Sequence, residues 1–322
     1  MTVCKNMQAS SRGEARGAEH TARRACLGLF AASALLAVTC ARAQTAAEPL
    51  PVFVSLLPQK QIVERIGGDA VKVDVLVLPG QSPATYDPTP QQMVALAQAA
   101  VYFLIGVPFE NTWVPKIRQA HPKLTIVDTR QGIKLQPMGG HDHDHDHGPK
   151  PTAGVTSKTS GTLDPHIWTS PPLVKQQAAT VRDALIGLRP AERARFEAGY
   201  ARYAAELDAL DAELRRLLSG KAQRRFMVFH PAWGYLASAY GLKQIPIEIE
   251  GKEPSPQALA RIIESAKAEG IRVIFVQKQF SRTAAEQIAR AIGGEVVTID
   301  PLAEDFVGNT REVAQALARG LR

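Results

Sequence analysis

Histidine is the residue type whose placement in this chain carries the most chemical information. Four of the eight histidines alternate with three aspartates in one run: His141, Asp142, His143, Asp144, His145, Asp146 and His147. Imidazole nitrogens mixed with carboxylate oxygens suit zinc, copper or nickel better than calcium or magnesium, which prefer oxygen ligands alone. We therefore predict auxiliary metal capture by this run. The plainer interpretation is a solvated linker with incidental metal affinity.

Three further residues are candidates for a defined metal site. His166 lies in the run LDPHIW, just before a plausible helix start at Ser170. His230 follows RFMVF and Asp300 follows EVVTI, so both stand at the carboxyl ends of predicted strands, where open α/β sheets bind ligands. Two imidazoles and a carboxylate are a normal ligand set for zinc. Each residue taken alone is more often structural, as a satisfied polar group or a turn.

Strands that alternate with helices must position these residues. Short β-branched runs cover 51–56, 71–78, 100–105 and 124–128, and a second set covers 225–229, 245–249, 271–277 and 295–300. Helical patterns lie between them at 60–66, 91–99, 231–240, 255–269 and 283–292. This alternation predicts an α/β fold of two lobes, each with a mainly parallel sheet flanked by helices.

One long helix over 191–219 is predicted to join the two lobes. Its apolar residues recur at alternating spacings of four and three: Phe196, Tyr200, Tyr203, Leu207, Leu210, Leu214 and Leu217. At a rise of 1.5 Å per residue such a helix is about 43 Å long. The same spacing is also typical of a coiled-coil dimer seam, an alternative that the end of the pattern at Gly220 disfavours.

These elements define the predicted domain organisation. We expect a signal peptide at 1–43, an N-terminal lobe at 44–190, the connecting helix at 191–219 and a C-terminal lobe at 220–322. Within the first lobe, residues 130–162 are rich in Gly, Pro, Ser and Thr and have no apolar period. A loop of that kind is typical of a functional or disordered segment.

The first 43 residues have the pattern of a cleavable signal peptide. Four arginines (Arg12, Arg16, Arg23 and Arg24) precede the uncharged run LGLFAASALLAVT, which is shorter than the roughly 20 residues of a membrane-spanning helix. Ala41-Arg42-Ala43 is an A-x-A cleavage site. We therefore expect cleavage after Ala43 and a periplasmic location. The Arg23-Arg24 pair leaves twin-arginine export open.

Removal of this leader changes what the composition means. The 322 residues are 45% hydrophobic and 21% charged, which excludes a disordered chain. The leader holds six of the 38 basic and two of the 31 acidic residues, so the net charge falls from +7 to +3 and a nucleic-acid partner is no longer indicated. All three cysteines (Cys4, Cys26 and Cys40) lie in the leader, so a metal site must use His, Asp and Glu.

Four blocks in order along the chain resemble one known family. DPHIW at 164–168, FHPAWGYLASAYGL at 229–242, EGKEPSP at 250–256 and TIDPL at 298–302 are similar to signature blocks of the periplasmic metal-binding proteins of ABC importers, the cluster A-I or TroA-like superfamily. The resemblance extends from about Pro51 to the C-terminus. It implies two lobes joined by a rigid helix, with the metal between them on His166, His230 and Asp300. A histidine-rich loop is typical of the zinc-handling branch.

Two positions depart from the family pattern. Ala84, in the segment GQSPATYDPTP, stands where the family has its first histidine ligand, and Gln277 stands where an acidic residue is common. A methyl group cannot coordinate a metal. The open coordination position is left to water, to a neighbour such as Asp87, or to a histidine from 141–147.

The resemblance implies a binding protein and not an enzyme. We expect it to capture Zn²⁺, with Mn²⁺ or another divalent metal as alternatives, and to deliver the ion to an ABC permease of the inner membrane. We expect a monomer that binds no nucleic acid. One alternative is a diverged paralogue that binds a metal chelate or a partner protein. Another is a zinc hydrolase, since three ligands and an open position are typical of catalytic zinc, although no HExxH motif, nucleophile elbow or phosphate loop is present.

Overall fold

Two four-stranded parallel sheets form the framework of the chain, as the sequence predicts. The computed structural model describes residues 48–138, 163–248 and 251–321. The first sheet contains β1 (Leu50–Val54), β2 (Val71–Val75), β3 (Val101–Leu104) and β4 (Thr125–Asp128), in the order β2-β1-β3-β4. The second contains β5 (Arg225–Val228), β6 (Lys243–Pro246), β7 (Val273–Gln277) and β8 (Glu295–Ile299), in the order β6-β5-β7-β8.

The two sheets share one strand order, and that order explains where a ligand would bind. In each sheet the strand order reverses next to the first strand, between β1 and β3 in one sheet and between β5 and β7 in the other. The connections on the two sides of that point therefore cross opposite faces of the sheet. The loops that leave the carboxyl ends of the strands there diverge and create a crevice. All strand pairs are parallel, so the carboxyl ends of every strand in a sheet lie at one edge.

Nine α-helices occur in the described part of the chain. They are α1 (Leu57–Gly67), α2 (Pro90–Leu96), α3 (Pro108–Ala120), α4 (Pro171–Leu188), α5 (Arg193–Leu218), α6 (Gly234–Ala239), α7 (Pro256–Ala268), α8 (Thr283–Ile292) and α9 (Phe306–Gly320). The start of α4 confirms the helix start predicted at Ser170. The sequence patterns missed α3, whose interior carries Pro115, and α9, whose first turn is capped by the Asp305 side chain.

The long helix α5 confirms the predicted connection between the two halves. It covers 26 residues and follows a 3-10 turn at Pro190–Glu192. It packs against α1, α4 and α9, and most of its apolar stripe is buried there: Phe196, Tyr203, Leu207, Leu210, Leu214 and Leu218. Because these side chains belong to the core of the same chain, the stripe is not a dimer seam.

Several expectations concern residues outside the described part. The signal peptide at 1–43 and the run at 141–147 fall there, and the domain boundaries stay predictions. The described residues 48–321 belong to one compact unit. None of the helices in that part combines the length and the apolar character needed to cross a bilayer.

Candidate metal centre

A cavity of about 80 Å³ lies where loops from both sheets meet. Its lining comes from the loops after β2, β3, β4, β5, β7 and β8 and from the segment before α4: Pro83, Ala84, Val107, Pro108, Met138, Pro165, His166, Trp168, His230, Gln279, Phe280, Pro301 and Leu302. Most of these side chains are apolar. The polar ones are two imidazoles and one amide, so the chemistry of the cavity depends on His166, His230 and Gln279.

His166 is buried and is oriented by Asp164. Its Nδ1–H donates to Asp164 Oδ1 at 2.6 Å, and its backbone N–H donates to the same oxygen at 2.9 Å. Asp164 is itself 1% exposed and comes close to Gly234, where a Cβ atom would lie 2.8 Å from Oδ2. A glycine at 234 therefore makes room for the carboxylate that orients His166.

The backbone of Asp164 is held by two residues that are distant in sequence, Gln136 and Tyr235. Its backbone N–H donates to Gln136 O at 2.8 Å, and Pro137 pairs with Leu163 in an antiparallel bridge. Its carbonyl accepts from the Tyr235 hydroxyl at 2.7 Å, and that hydroxyl accepts from the Gln136 N–H at 2.9 Å. Hydrogen bonds from the Asp164 backbone to Gln136 and to Tyr235 of α6 therefore fix the position of the Asp164–His166 pair.

His230 is oriented in the same way by Glu248. Its Nδ1–H donates to Glu248 Oε1 at 2.7 Å. Its backbone is held by the buried amide of Gln277, which accepts from His230 N at 3.1 Å and donates to His230 O at 2.6 Å. The ring stacks on Phe280 with centroids 5.1 Å apart. A carboxylate at 277 would lack the donor for the carbonyl, so the amide is what allows both contacts.

The two imidazoles face each other through their remaining nitrogens. His166 Nε2 and His230 Nε2 are 3.2 Å apart. Because each Nδ1 donates its hydrogen to a carboxylate, each neutral ring presents a lone pair at Nε2. Burial lowers the pKa of His166, which disfavours a charged ring that would bridge the gap with a proton.

A divalent ion would satisfy both lone pairs. Two nitrogens on a tetrahedral zinc with bonds of about 2.0–2.1 Å are separated by about 3.3–3.4 Å. The observed Nε2–Nε2 distance of 3.2 Å is close to that value. Carboxylates that accept from the second ring nitrogen are the usual partners of metal-binding histidines. The residues present therefore fit a zinc ion.

Asp300 directly precedes the lining residues Pro301 and Leu302, but it is not itself part of the lining and its carboxylate has other partners. Oδ1 accepts from the Leu302 N–H at 2.9 Å and from the Gln279 amide at 3.3 Å, and Oδ2 lies 3.4 Å from Lys278 Nζ. Across the described part of the chain, no three His, Cys, Asp or Glu side chains are gathered closely enough to hold a metal. The structure thus brings His166 and His230 together and does not group Asp300 with them.

The substituted position lies at the same cavity. Ala84 is exposed and lines it together with Pro83. Asp87, the nearby carboxylate considered as a replacement ligand, accepts from Trp113 Nε1 at 2.9 Å and is absent from the lining. The run 141–147 lies outside the described residues.

Sequence reasoning missed the residues that orient the imidazoles. Asp164 stands in the DPHIW block, two residues before His166, and this proximity is a usable signal. Glu248 was hidden because the predicted strand 245–249 contained it, whereas β6 ends at Pro246 and leaves Glu248 in the loop that follows. The rule that selects residues after strand ends would then select Glu248 as well as His230.

The sequence and the fold of this chain are similar to those of several known proteins. Residues 52–320 match the family model described as "ZnuA: Zinc-uptake complex component A periplasmic". The high-affinity zinc uptake system protein ZnuA of Bacillus subtilis is 30% identical over 288 residues, which are 85% of this chain and 88% of that protein. A crystal structure of ZnuA is similar with a TM-score of 0.77 and 41% identity, over 85% of this chain and 100% of that one. A ZnuA deletion mutant with zinc bound gives a TM-score of 0.75 and 41% identity, over 85% and 98% of the two chains.

Proposed function

Because this chain belongs to the ZnuA family of periplasmic zinc-uptake components, we propose that it captures zinc between His166 and His230 and delivers it to an ABC permease. The ion is cargo that is bound and released, and no reaction is catalysed. The observation that carries the proposal is the pair of Nε2 atoms 3.2 Å apart, each on a ring whose Nδ1 is held by a buried carboxylate.

Asp300 is the third ligand in this proposal. Its Oδ2 atom is paired with Lys278, whose side chain is 67% exposed. The Asp300 side chain is 16% exposed, but its partner is largely solvated, so the ion pair contributes little free energy and the ammonium can be exchanged for a divalent ion at the carboxylate. Oδ1 keeps its contacts with Leu302 and Gln279 during that exchange.

The remaining parts of the proposal concern regions around the site. The leader directs the chain to the periplasm and is cleaved after Ala43. The run at 141–147 gathers zinc at low affinity, and the monomeric protein passes the ion to the cavity. Support for the transfer of zinc from the run to the cavity comes from the position of the run. The described residues on its two sides, Pro137 and Leu163, pair with each other directly before Asp164 and His166.

Zinc titration of single variants tests the proposed site. We expect His166→Ala and His230→Ala each to lower zinc affinity by more than about 100-fold, because loss of a ligand exceeds the 10- to 100-fold cost of losing a residue that only orients one. Affinity is measured by competition with a chromophoric chelator. The variants are made in a chain whose histidines at 141, 143, 145 and 147 are replaced by Asn, so that the run does not mask the loss.

His121→Ala is the matched control. His121 ends α3 and is not part of the cavity lining, so its substitution should leave the zinc affinity unchanged. Equal affinity in His166→Ala, His230→Ala and the control would remove both histidines from the site and overturn the proposal.

A further inference from the structure

We infer that Trp168 is a positioning residue for zinc binding, and that its indole N–H slows zinc release by holding together the two halves of the molecule, each built on one sheet. The inference rests on the proposed zinc site. The Nε1–H of Trp168 donates to the Pro301 carbonyl at 2.8 Å. Trp168 lies two residues after His166, whereas Pro301 follows β8 of the second sheet, and both line the cavity. One side chain therefore joins the two halves at the cavity wall.

Trp168 is firmly packed in the first half. It belongs to the 3-10 turn Ile167–Thr169, directly before α4. Its side chain is 2% exposed and lies in an apolar cluster with Phe53 of β1 and Tyr102 of β3. The indole also lies against the His166 imidazole, with ring centroids 5.0 Å apart. Because a close-packed interior leaves such a ring little freedom, its N–H is a donor in a fixed position.

The loop that carries the acceptor meets the first half in two kinds of contact. Pro301 is buried, its hydrogen bond to Trp168 is buried as well, and Leu302 packs against the apolar cluster that contains Trp168. Further along the loop, Glu304 accepts from Lys60 of α1 at the exposed surface. A surface ion pair contributes little free energy, whereas loss of the indole donor leaves a buried carbonyl without a partner. The hydrogen bond of Trp168 is therefore the polar contact of this loop that matters most.

Zinc and this hydrogen bond join the same two halves. The ion links His166 of the first half to His230 of the second. Two residues before His166, the Asp164 carbonyl accepts from the hydroxyl of Tyr235 in the second half at 2.7 Å, and two residues after it lies Trp168. Movement of the two imidazoles away from each other therefore stretches contacts on both sides of His166. The bond of Trp168 adds to the barrier for that movement, so its loss should act mainly on the rate of release.

Trp168→Phe tests the inference, because phenylalanine keeps an aromatic ring and removes the N–H. The full chain with Asn at 141, 143, 145 and 147 is loaded with zinc and mixed rapidly with an excess of a chromophoric chelator. We expect release about 10-fold faster than from the parent, the effect of one buried hydrogen bond whose acceptor is left unpaired. The association rate, obtained from the release rate and the affinity, should change by about twofold or less.

Trp233→Phe is the matched control. Trp233 is 1% exposed, and its Nε1 has no hydrogen-bond partner in the described part of the chain. The control removes the same atoms from a buried position without the loss of a hydrogen bond, so zinc release should stay close to the parent rate. Equal release rates in Trp168→Phe and Trp233→Phe would assign any change to lost packing and would overturn the inference.

A second variant keeps the packing intact. Replacement of Trp168 by 3-benzothienylalanine puts sulfur in place of the N–H at nearly unchanged size, so the protein should fold like the parent and release zinc as fast as Trp168→Phe. Release at the parent rate would overturn the inference. That result concerns Trp168 alone, whereas zinc binding that persists unchanged in His166→Ala contradicts the proposed zinc site itself, which distinguishes the two failures.

Discussion

Buried carboxylates occur in two places around the candidate site, and they differ in which groups donate hydrogen bonds to their oxygens. Asp164 and Glu248 each accept from an imidazole Nδ1, and those rings present their other nitrogen to the cavity. Glu110 lies behind the loop that leads to Val107 and Pro108. Its oxygens accept from the Ser55 hydroxyl and from the N–H groups of Ile105 and Gly106.

The difference separates a functional cluster from a structural one. Asp164 and Glu248 orient donors for a ligand, so their effect reaches the cavity through His166 and His230. Glu110 orients only backbone and a hydroxyl, and the loop it holds presents apolar side chains to the cavity. Burial and a dense hydrogen-bond network therefore do not by themselves mark a binding residue. What matters is whether the held group leaves an atom free for a ligand.

The largest effect that tests this comparison is expected at the orienting carboxylates. Asp164→Asn and Glu248→Gln keep a hydrogen-bond acceptor but remove the charge that favours the bound metal and the correct tautomer. We expect zinc affinity to fall by about 10- to 100-fold in each. Competition titration with a chelator measures the change.

Two exposed carboxylates provide matched controls for these variants. Asp183 and Glu264 have side chains that are 64% and 72% exposed and form only surface ion pairs. Asp183→Asn and Glu264→Gln should bind zinc like the parent protein. If the buried and exposed substitutions have equal effects, the carboxylates do not act through the imidazoles.

A smaller change in the opposite direction is expected at Ala84. Ala84→His adds a potential third imidazole to the rim of the cavity, and we expect zinc affinity to rise by about tenfold, equivalent to about 1.4 kcal/mol. Ala84→Phe is the control for bulk alone. A rise in affinity with Phe, or none with His, would show that this loop does not reach the metal.

The smallest effect on zinc binding is expected at Glu110. Glu110→Gln should change zinc affinity by about twofold or less, as is usual for sites that share no partners. The substitution should instead change how the free energy of unfolding depends on pH. Burial raises the pKa of Glu110 to about 7. The native state therefore binds a proton more tightly than the unfolded state does, and the stability gained below about pH 4.5 is lost as the pH rises to about 7.

Urea unfolding of the parent and of Glu110→Gln at pH 5 and pH 8 checks this sign. The free energy of unfolding of the parent should fall, relative to the variant, by up to about 3 kcal/mol between the two pH values. The difference between the proteins removes the contributions of other titrating groups. Parallel profiles would mean that Glu110 is ionised in the native state at both pH values.

The sequence predicts the framework of this molecule better than the details of its site. All eight strands were expected from β-branched runs, and the heptad-like stripe predicted α5, because burial of apolar faces leaves a period in the sequence. Pro115 obscured α3, since a proline inside a helix normally breaks the pattern. His166 and His230 were identified from their positions beside strand and helix ends, and they lie together.

The orientation of side chains could not be predicted in the same way. Asp300 was predicted as a metal ligand and stays one in the proposal, but its contacts with Lys278 and Leu302 N could not be predicted, because a choice between neighbouring partners leaves no period in the sequence. The role of Glu248 depended on a strand that ends two residues before it.

The most direct test of the account is a crystal structure of the zinc-loaded full chain with anomalous diffraction recorded at the zinc absorption edge. We predict a strong anomalous peak about 2.0–2.1 Å from both His166 Nε2 and His230 Nε2. The carboxylate of Asp300 should turn from Lys278 toward the same peak. Zinc found elsewhere on the chain, with no anomalous peak between the two Nε2 atoms at saturating zinc, would contradict the account.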